Sequence, residues 1–216
     1  MRLFIPLFLL LLSTNRSTSQ IPVEIFAGDK KAGIDILFFK YIKNKKGQPS
    51  PFLFFNRNRA TIDYKMTSTT NLPQFGFTEA ISFNKEGWKG FAPVVVVQIL
   101  NRGVYPKAGI QFAKTKKDFT VFTWVVSEMN ERPNLDWFLL ARYQPAIGSK
   151  LHLFSQIELV NAFPLHHSNN YNFIQRLRLG LKMTAFQFGL GADFTATGRS
   201  RYSTLQNTGA FIRYEF

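Results

Sequence analysis

From residue 21 onward the chain alternates apolar and polar positions with a period of two, and no stretch sustains a helical period. The pattern is clearest near the C-terminus. Phe186, Phe188, Leu190, Ala192 and Phe194 share one face of an extended segment, opposite Gln187, Gly189, Gly191 and Asp193. The preceding segment sets Leu177, Leu179, Leu181 and Met183 against Arg176, Arg178, Gly180 and Lys182. Successive strand side chains point to opposite faces, so each segment has one greasy wall and one polar wall. Gly, Pro, Asn and Lys punctuate the pattern. The alternation predicts twelve strands, near 21–27, 32–42, 51–64, 73–84, 91–101, 104–114, 118–129, 134–144, 150–163, 171–183, 185–196 and 206–216. The first is short and opens on Ile21-Pro22, which leaves ten strands as the alternative count.

An Arg or Lys at every second position is tolerated in a wet lumen, whereas facing mid-bilayer lipid it costs about 2–4 kcal/mol. The basic face therefore points inward if the sheet is a membrane wall. A soluble β-sandwich also alternates, so the two ends of the chain decide. Met1-Arg2 is a short positive start, Leu3 to Leu12 is apolar apart from Pro6, and Ser13 to Ser19 is small and polar. This is the pattern of a signal peptide over 1–19, too short to span a membrane as a helix, with the mature domain covering 20–216. At the other end, Phe216, Tyr214, Ile212 and Ala210 share one face and Glu215, Arg213 and Gly209 the other. This ending resembles the closing strand of Gram-negative outer-membrane β-barrel proteins. The resemblance implies location in the bacterial outer membrane, contact with its lipid and lipopolysaccharide, and a role for Phe216 and Tyr214 as the signal read by the barrel-assembly machinery. The expected fold is all-β, an antiparallel transmembrane β-barrel of about twelve strands, and an even count suits a chain with both ends in the periplasm.

Two segments break the pattern. Glu79 shares a face with Phe75, Phe77, Ile81 and Phe83, and Asn56 and Asn58 share one with Phe54, Ala60 and Ile62. A β-bulge would shift either register and return these polar groups to the lumen.

Composition sharpens the picture. The 24 Phe, 7 Tyr and 3 Trp accompany a mean hydropathy near zero, as a two-faced wall requires. There is no cysteine, which excludes disulfides, thiol chemistry and a lipid-anchored N-terminal cysteine. The formal charge is +14, and removal of 1–19, which carries Arg2 and Arg16 and no acid, leaves +12. An exported chain does not meet nucleic acid, so this charge points to anionic lipid or solutes. Much of it lies in turns such as Lys43-Asn44-Lys45-Lys46 and Lys114-Thr115-Lys116-Lys117. With the C-terminus in the periplasm, the segments around 65–72, 101–106, 130–133, 164–170 and 197–204 are external loops, all short.

Parity assigns Arg57, Arg59, Asp63, Asp136, Arg142, Gln156, Glu158, Arg176, Arg178, Lys182, Asp193, Arg213 and Glu215 to the lumen. Charged rings of this kind set the selectivity of a pore, and the same inventory with both signs present also makes a salt-bridged seal. The leading expectation is a narrow passive channel for small polar or anionic solutes, since Arg offers a planar bidentate donor. Its size and strand count resemble those of nucleoside-specific outer-membrane channels. A sealed structural barrel, with Arg57, Arg176 and Arg178 tied to Asp63, Asp136 and Glu158, is one alternative. A second rests on His166-His167-Ser168-Asn169, which resembles the H-x-S-N element of outer-membrane phospholipase A and the lipid A deacylases. That resemblance implies His166 as general base and Ser168 as nucleophile, with Asn172 as an orienting group. The chain departs from it in having no Asp or Glu between Glu158 and Asp193. No cofactor and no metal site is expected, the three histidines lying away from any carboxylate cluster.

Overall fold

The computed structural model describes residues 21–65, 73–167 and 169–216; the segment 1–20, which includes the expected signal peptide, most of the 65–72 loop and Ser168 lie outside the described residues. Twelve strands run in order: β1 (Pro22–Gly28), β2 (Lys31–Lys43), β3 (Pro49–Asp63), β4 (Gln74–Phe83), β5 (Phe91–Leu100), β6 (Gly103–Thr115), β7 (Phe119–Glu128), β8 (Asn134–Tyr143), β9 (Leu151–Pro164), β10 (Tyr171–Met183), β11 (Phe186–Gly198) and β12 (Tyr202–Glu215). Each pairs antiparallel with its chain neighbours, and β12 returns to β1 to close the barrel. At the seam Pro22 faces Glu215 and Gly28 faces Gly209. Beyond it, Ile21 and Phe216 exchange backbone N–H···O bonds of 3.2 Å in both directions. The predicted segments match these strands closely. Strand β12 starts at Tyr202 rather than near 206 because its first residues pair with β11 through Gly198 and Tyr202 above the apolar band. Alternation fades there because both faces are polar.

The outer wall is apolar along its middle. Val95, Ile110 and Leu190 are 57%, 61% and 72% exposed, an arrangement that only lipid makes stable. Aromatic groups gather outside both ends, as in the interfacial girdles of membrane barrels. Phe186, Tyr214 and Phe216 stack edge-on at one end with centroids 4.6 Å apart in each pair. At the other, Phe163, Tyr171 and Tyr202 surround Phe173.

The interior is packed rather than broadly wet. Phe39, Phe55, Phe122, Trp124 and Phe138 form an aromatic slab from strands β2, β3, β7 and β8, with Phe39 and Phe122 stacked at 4.8 Å and Phe55 and Trp124 edge-on at 4.7 Å. Phe26, Phe154 and Phe211 make a second cluster near the seam. Glycine inside a strand makes room for this filling. A Cβ on Gly191 would sit 2.8 Å from Cδ of Arg178 and 2.9 Å from its Nη1.

No bulge lies between β3 and β4. The register is continuous from Phe52–Phe83 to Thr61–Gln74, and the irregularity falls instead between β2 and β3 at Tyr41 and Lys43. The register correction considered from the sequence does not occur, so Asn56, Asn58 and Glu79 stay on the outer wall.

Phe122 is fully buried between Phe39 and Phe55. Phe122→Ala should therefore cost about 3–5 kcal/mol, measured by urea unfolding of the refolded barrel in lipid vesicles, whereas Leu190→Ala on the outer wall should cost much less.

Candidate functional site

The structure joins most of the charged positions that parity assigns to the lumen into one chain of ion pairs. Arg57 donates to both oxygens of Glu158 at 2.7 and 3.0 Å, and to Asp35 at 2.7 Å through Nη2 and 3.2 Å through Nε. Strands β3 and β9 stand six places apart in a ring of twelve, so the Arg57–Glu158 pair crosses the full bore. Arg176 also binds Glu158 and reaches toward Asp193 at 3.8 Å. Asp193 accepts from Arg178 at 2.6 Å, Arg178 donates to Glu24 at 2.9 Å, and Glu24 holds Arg213. Arg59 pairs with Asp35 at 3.4 Å and faces Asp193 at 3.9 Å. The Arg178 guanidinium also lies 4.0 Å above the Phe26 ring, and that of Arg213 lies 4.9 Å above Phe154.

Smaller groups flank this chain. Lys107 pairs with Asp136 and with Glu128 at 3.3 Å. Nearer the chain termini Lys182 pairs with Glu215 at 2.5 Å, and Gln187 donates to the same carboxylate at 2.6 Å. Arg142 donates to Gln156 at 3.0 Å and makes no ion pair among the described residues. Asp63 sits apart at the rim of the barrel, 4.0 Å from Lys31. The partners of the sealed-barrel reading are thus redistributed: Glu158 does hold Arg57 and Arg176, while Asp35, Glu24 and Asp193 take the places expected of Asp63 and Asp136.

Glu24, Asp35, Lys107 and Glu128 were missed by the sequence reading. The signal was present as parity: Glu24 lies between Val23 and Ile25, Asp35 between Ile34 and Ile36, and Lys107 between Pro106 and Ala108, each polar among outward apolar residues.

Above the aromatic slab, toward the end remote from the chain termini, the bore widens into a recess of about 170 Å³. Phe55, Trp124 and Phe138 line its base, and Arg57, Arg59, Lys107, Arg176 and Asp136 are on its wall. Nε of Arg59 and Nε of Arg176 are buried there without a hydrogen-bond partner. The loop after β9 lies at the same end. The carbonyls of His166 and His167 accept from Nη1 of Arg199 at 3.0 and 2.8 Å, and Asn172 accepts from Thr197 at 3.0 Å. Asn172 is thereby tied to the β11 wall.

No family model matches the chain, and no curated protein matches it. Solved structures do. The NanC porin superposes with a TM-score of 0.51 at 10% identity, over 91% of this chain and 98% of that one. The fold is that of an outer-membrane β-barrel. The KdgM porin in complex with disordered oligogalacturonate superposes at 0.48 and 10% identity, over 91% and 99%. The β domain of the Bordetella autotransporter BrkA does so at 0.38 and 9% identity, over 91% and 98%.

Apart from Arg142, the inward charges of the central chain are held in ion pairs that several groups share, so removing one partner weakens the hold on its neighbours. Glu158→Gln should cost about 3 kcal/mol, because it leaves Arg57 with Asp35 alone and Arg176 with only the 3.8 Å approach of Asp193. Arg57→Met combined with Glu158→Leu should recover part of that loss. The midpoint of denaturant unfolding in vesicles measures both.

Proposed function

We propose that the barrel is a narrow passive channel for small polar, chiefly anionic, solutes, with the recess as the site that receives them. The observation supporting this reading is the pair of buried Nε donors on Arg59 and Arg176, neither of which makes a hydrogen bond, that of Arg176 facing Asp193 only at 3.8 Å. They lie beside Arg57 and Lys107, on a wall that four cations share with one lining carboxylate, Asp136. A planar carboxylate or phosphate suits such guanidinium groups, since each can present two parallel N–H donors. The ring faces of Phe55, Trp124 and Phe138 accept whatever apolar body the solute carries. Below the recess the bore is closed by the Arg57–Glu158 crossing and the aromatic slab. Passage therefore involves partner exchange, in which the solute takes the place of Glu158 on Arg57 or Arg176 and releases it onward.

The same crossing favours a second reading, a barrel sealed for mechanical strength. Arg178, Phe122 and Phe154 are 2% or less exposed, and a wall meant only to be rigid needs nothing more.

Planar-bilayer recordings of the refolded protein under a salt gradient separate the two. Discrete steps with anion preference, reduced severalfold by Arg59→Gln with Arg176→Gln, are the expected result for the channel. A silent wild type that conducts only after Phe55→Ala and Phe122→Ala would establish the seal instead.

A further inference from the structure

Among the described residues the outer wall carries, at mid-height, a polar cluster that includes a carboxylate. Asn56 on β3 faces Glu79 on β4 directly, and its amide donates to the carboxylate. Asn58, one step along the same face, donates to Asn56 at 3.2 Å, and its own Oδ1 is buried without a partner. Glu79 is the sixth of the ten residues of β4, so it lies far from both rims. By strand parity it is the sole carboxylate on the outward face of any strand among the described residues. Its surroundings are Phe38, Phe54, Phe77, Ile81 and Val97, none of which offers a side-chain donor. Lipid chains offer none either, and ionisable groups placed in a bilayer mark sites with a partner.

We propose that Asn56, Asn58 and Glu79 form the centre of a two-fold contact between two copies of this chain within the membrane. The patch contains both halves of its own complement. Glu79 and the orphan Asn58 oxygen accept, while the two amides donate. Lys40 lies on the same outer face two strands from Glu79, and no ion pair joins them within one chain. A two-fold axis through the patch sets acceptors of each copy against donors of the other, which is the requirement for a self-complementary interface. The ring of Phe and Ile side chains then packs around a hydrogen-bonded centre that is shielded from lipid, where small polar networks hold membrane segments together. A patch made for a different protein would need to carry only one of the two signs.

The absence of native cysteine permits a direct test. Single cysteines at Ile36 or Val97, beside the cluster, and at Leu177, on the opposite wall, are introduced into the full chain and treated with a short bismaleimide in native outer membranes. Covalent dimers at Ile36→Cys and Val97→Cys, with little at Leu177→Cys, are expected. Adding Glu79→Leu and Asn58→Leu should reduce the dimer band to the Leu177→Cys level. These leucines face lipid, so the barrel itself remains folded, which heat-modifiable gel mobility verifies. Equal cross-linking at all three positions would overturn the proposal, as would dimers that persist in the leucine variants or adducts whose mass shows a different protein.

Discussion

Every backbone N–H and C=O that meets hydrocarbon must find its partner within the protein, and a sheet meets this demand only by closing on itself. The rest of the architecture follows from that closure. Strand β1 is the shortest element, yet it pairs on both sides, along seven residues with β12 and five with β2, and the reciprocal Ile21–Phe216 bonds extend the seam at the chain ends. Once twelve strands close, parity sorts every side chain into lipid or lumen. The outer wall then needs Val, Ile, Leu and Phe, and most of the charge carried at mid-strand is drawn to the lumen.

A bore that receives so many charges has two solutions, water or pairing. This barrel largely chooses pairing, and it divides the work. Aromatic rings from β2, β3, β7 and β8 fill one side, while arginines and acids from β3 and β9–β12, with Glu24 and Asp35, fill the other. The two chemistries meet at β3, where Phe55 and Arg57 are adjacent inward residues. Arginine suits this boundary because its planar head stacks on rings while its edge donates to carboxylates, as Arg178 does between Phe26 and Glu24. The recess exists where the slab ends and the arginines have donors left over.

Much of this was legible from alternation alone. The strands, the inward arginines and the outward rings follow from period two, because one-residue slips would put every charge in lipid. The partners were legible only in part: Glu158 was among the acids expected to hold Arg57 and Arg176 and does so, whereas Glu24 and Asp35 were not foreseen. Arg57 meets Glu158 across 101 residues of chain, and parity says which face a residue occupies but not its height or its place around the ring. The filled bore was equally hidden, since the inward positions of Phe55, Phe122, Trp124 and Phe138 show that rings enter the lumen but not that they touch. Glu79 and the two asparagines were read correctly as misfits, and the bulge that would have repaired them lies elsewhere.

The ion-pair chain also has a temporal side. Glu24 belongs to the first strand and its partners Arg178 and Arg213 to the tenth and twelfth, 154 and 189 residues later. Until β12 zips onto β1, Glu24 has no cation in reach, and Arg178 and Arg213 lack the carboxylate between them. An open sheet in lipid therefore carries unpaired charges along the edges that must meet, and neutralisation arrives only with the last strand. Contacts so remote in sequence are slow to form, yet here they are rewarded all at once. The charge chain thus acts as a latch on insertion: an incomplete barrel remains electrically unfinished, and the finished one is reluctant to reopen.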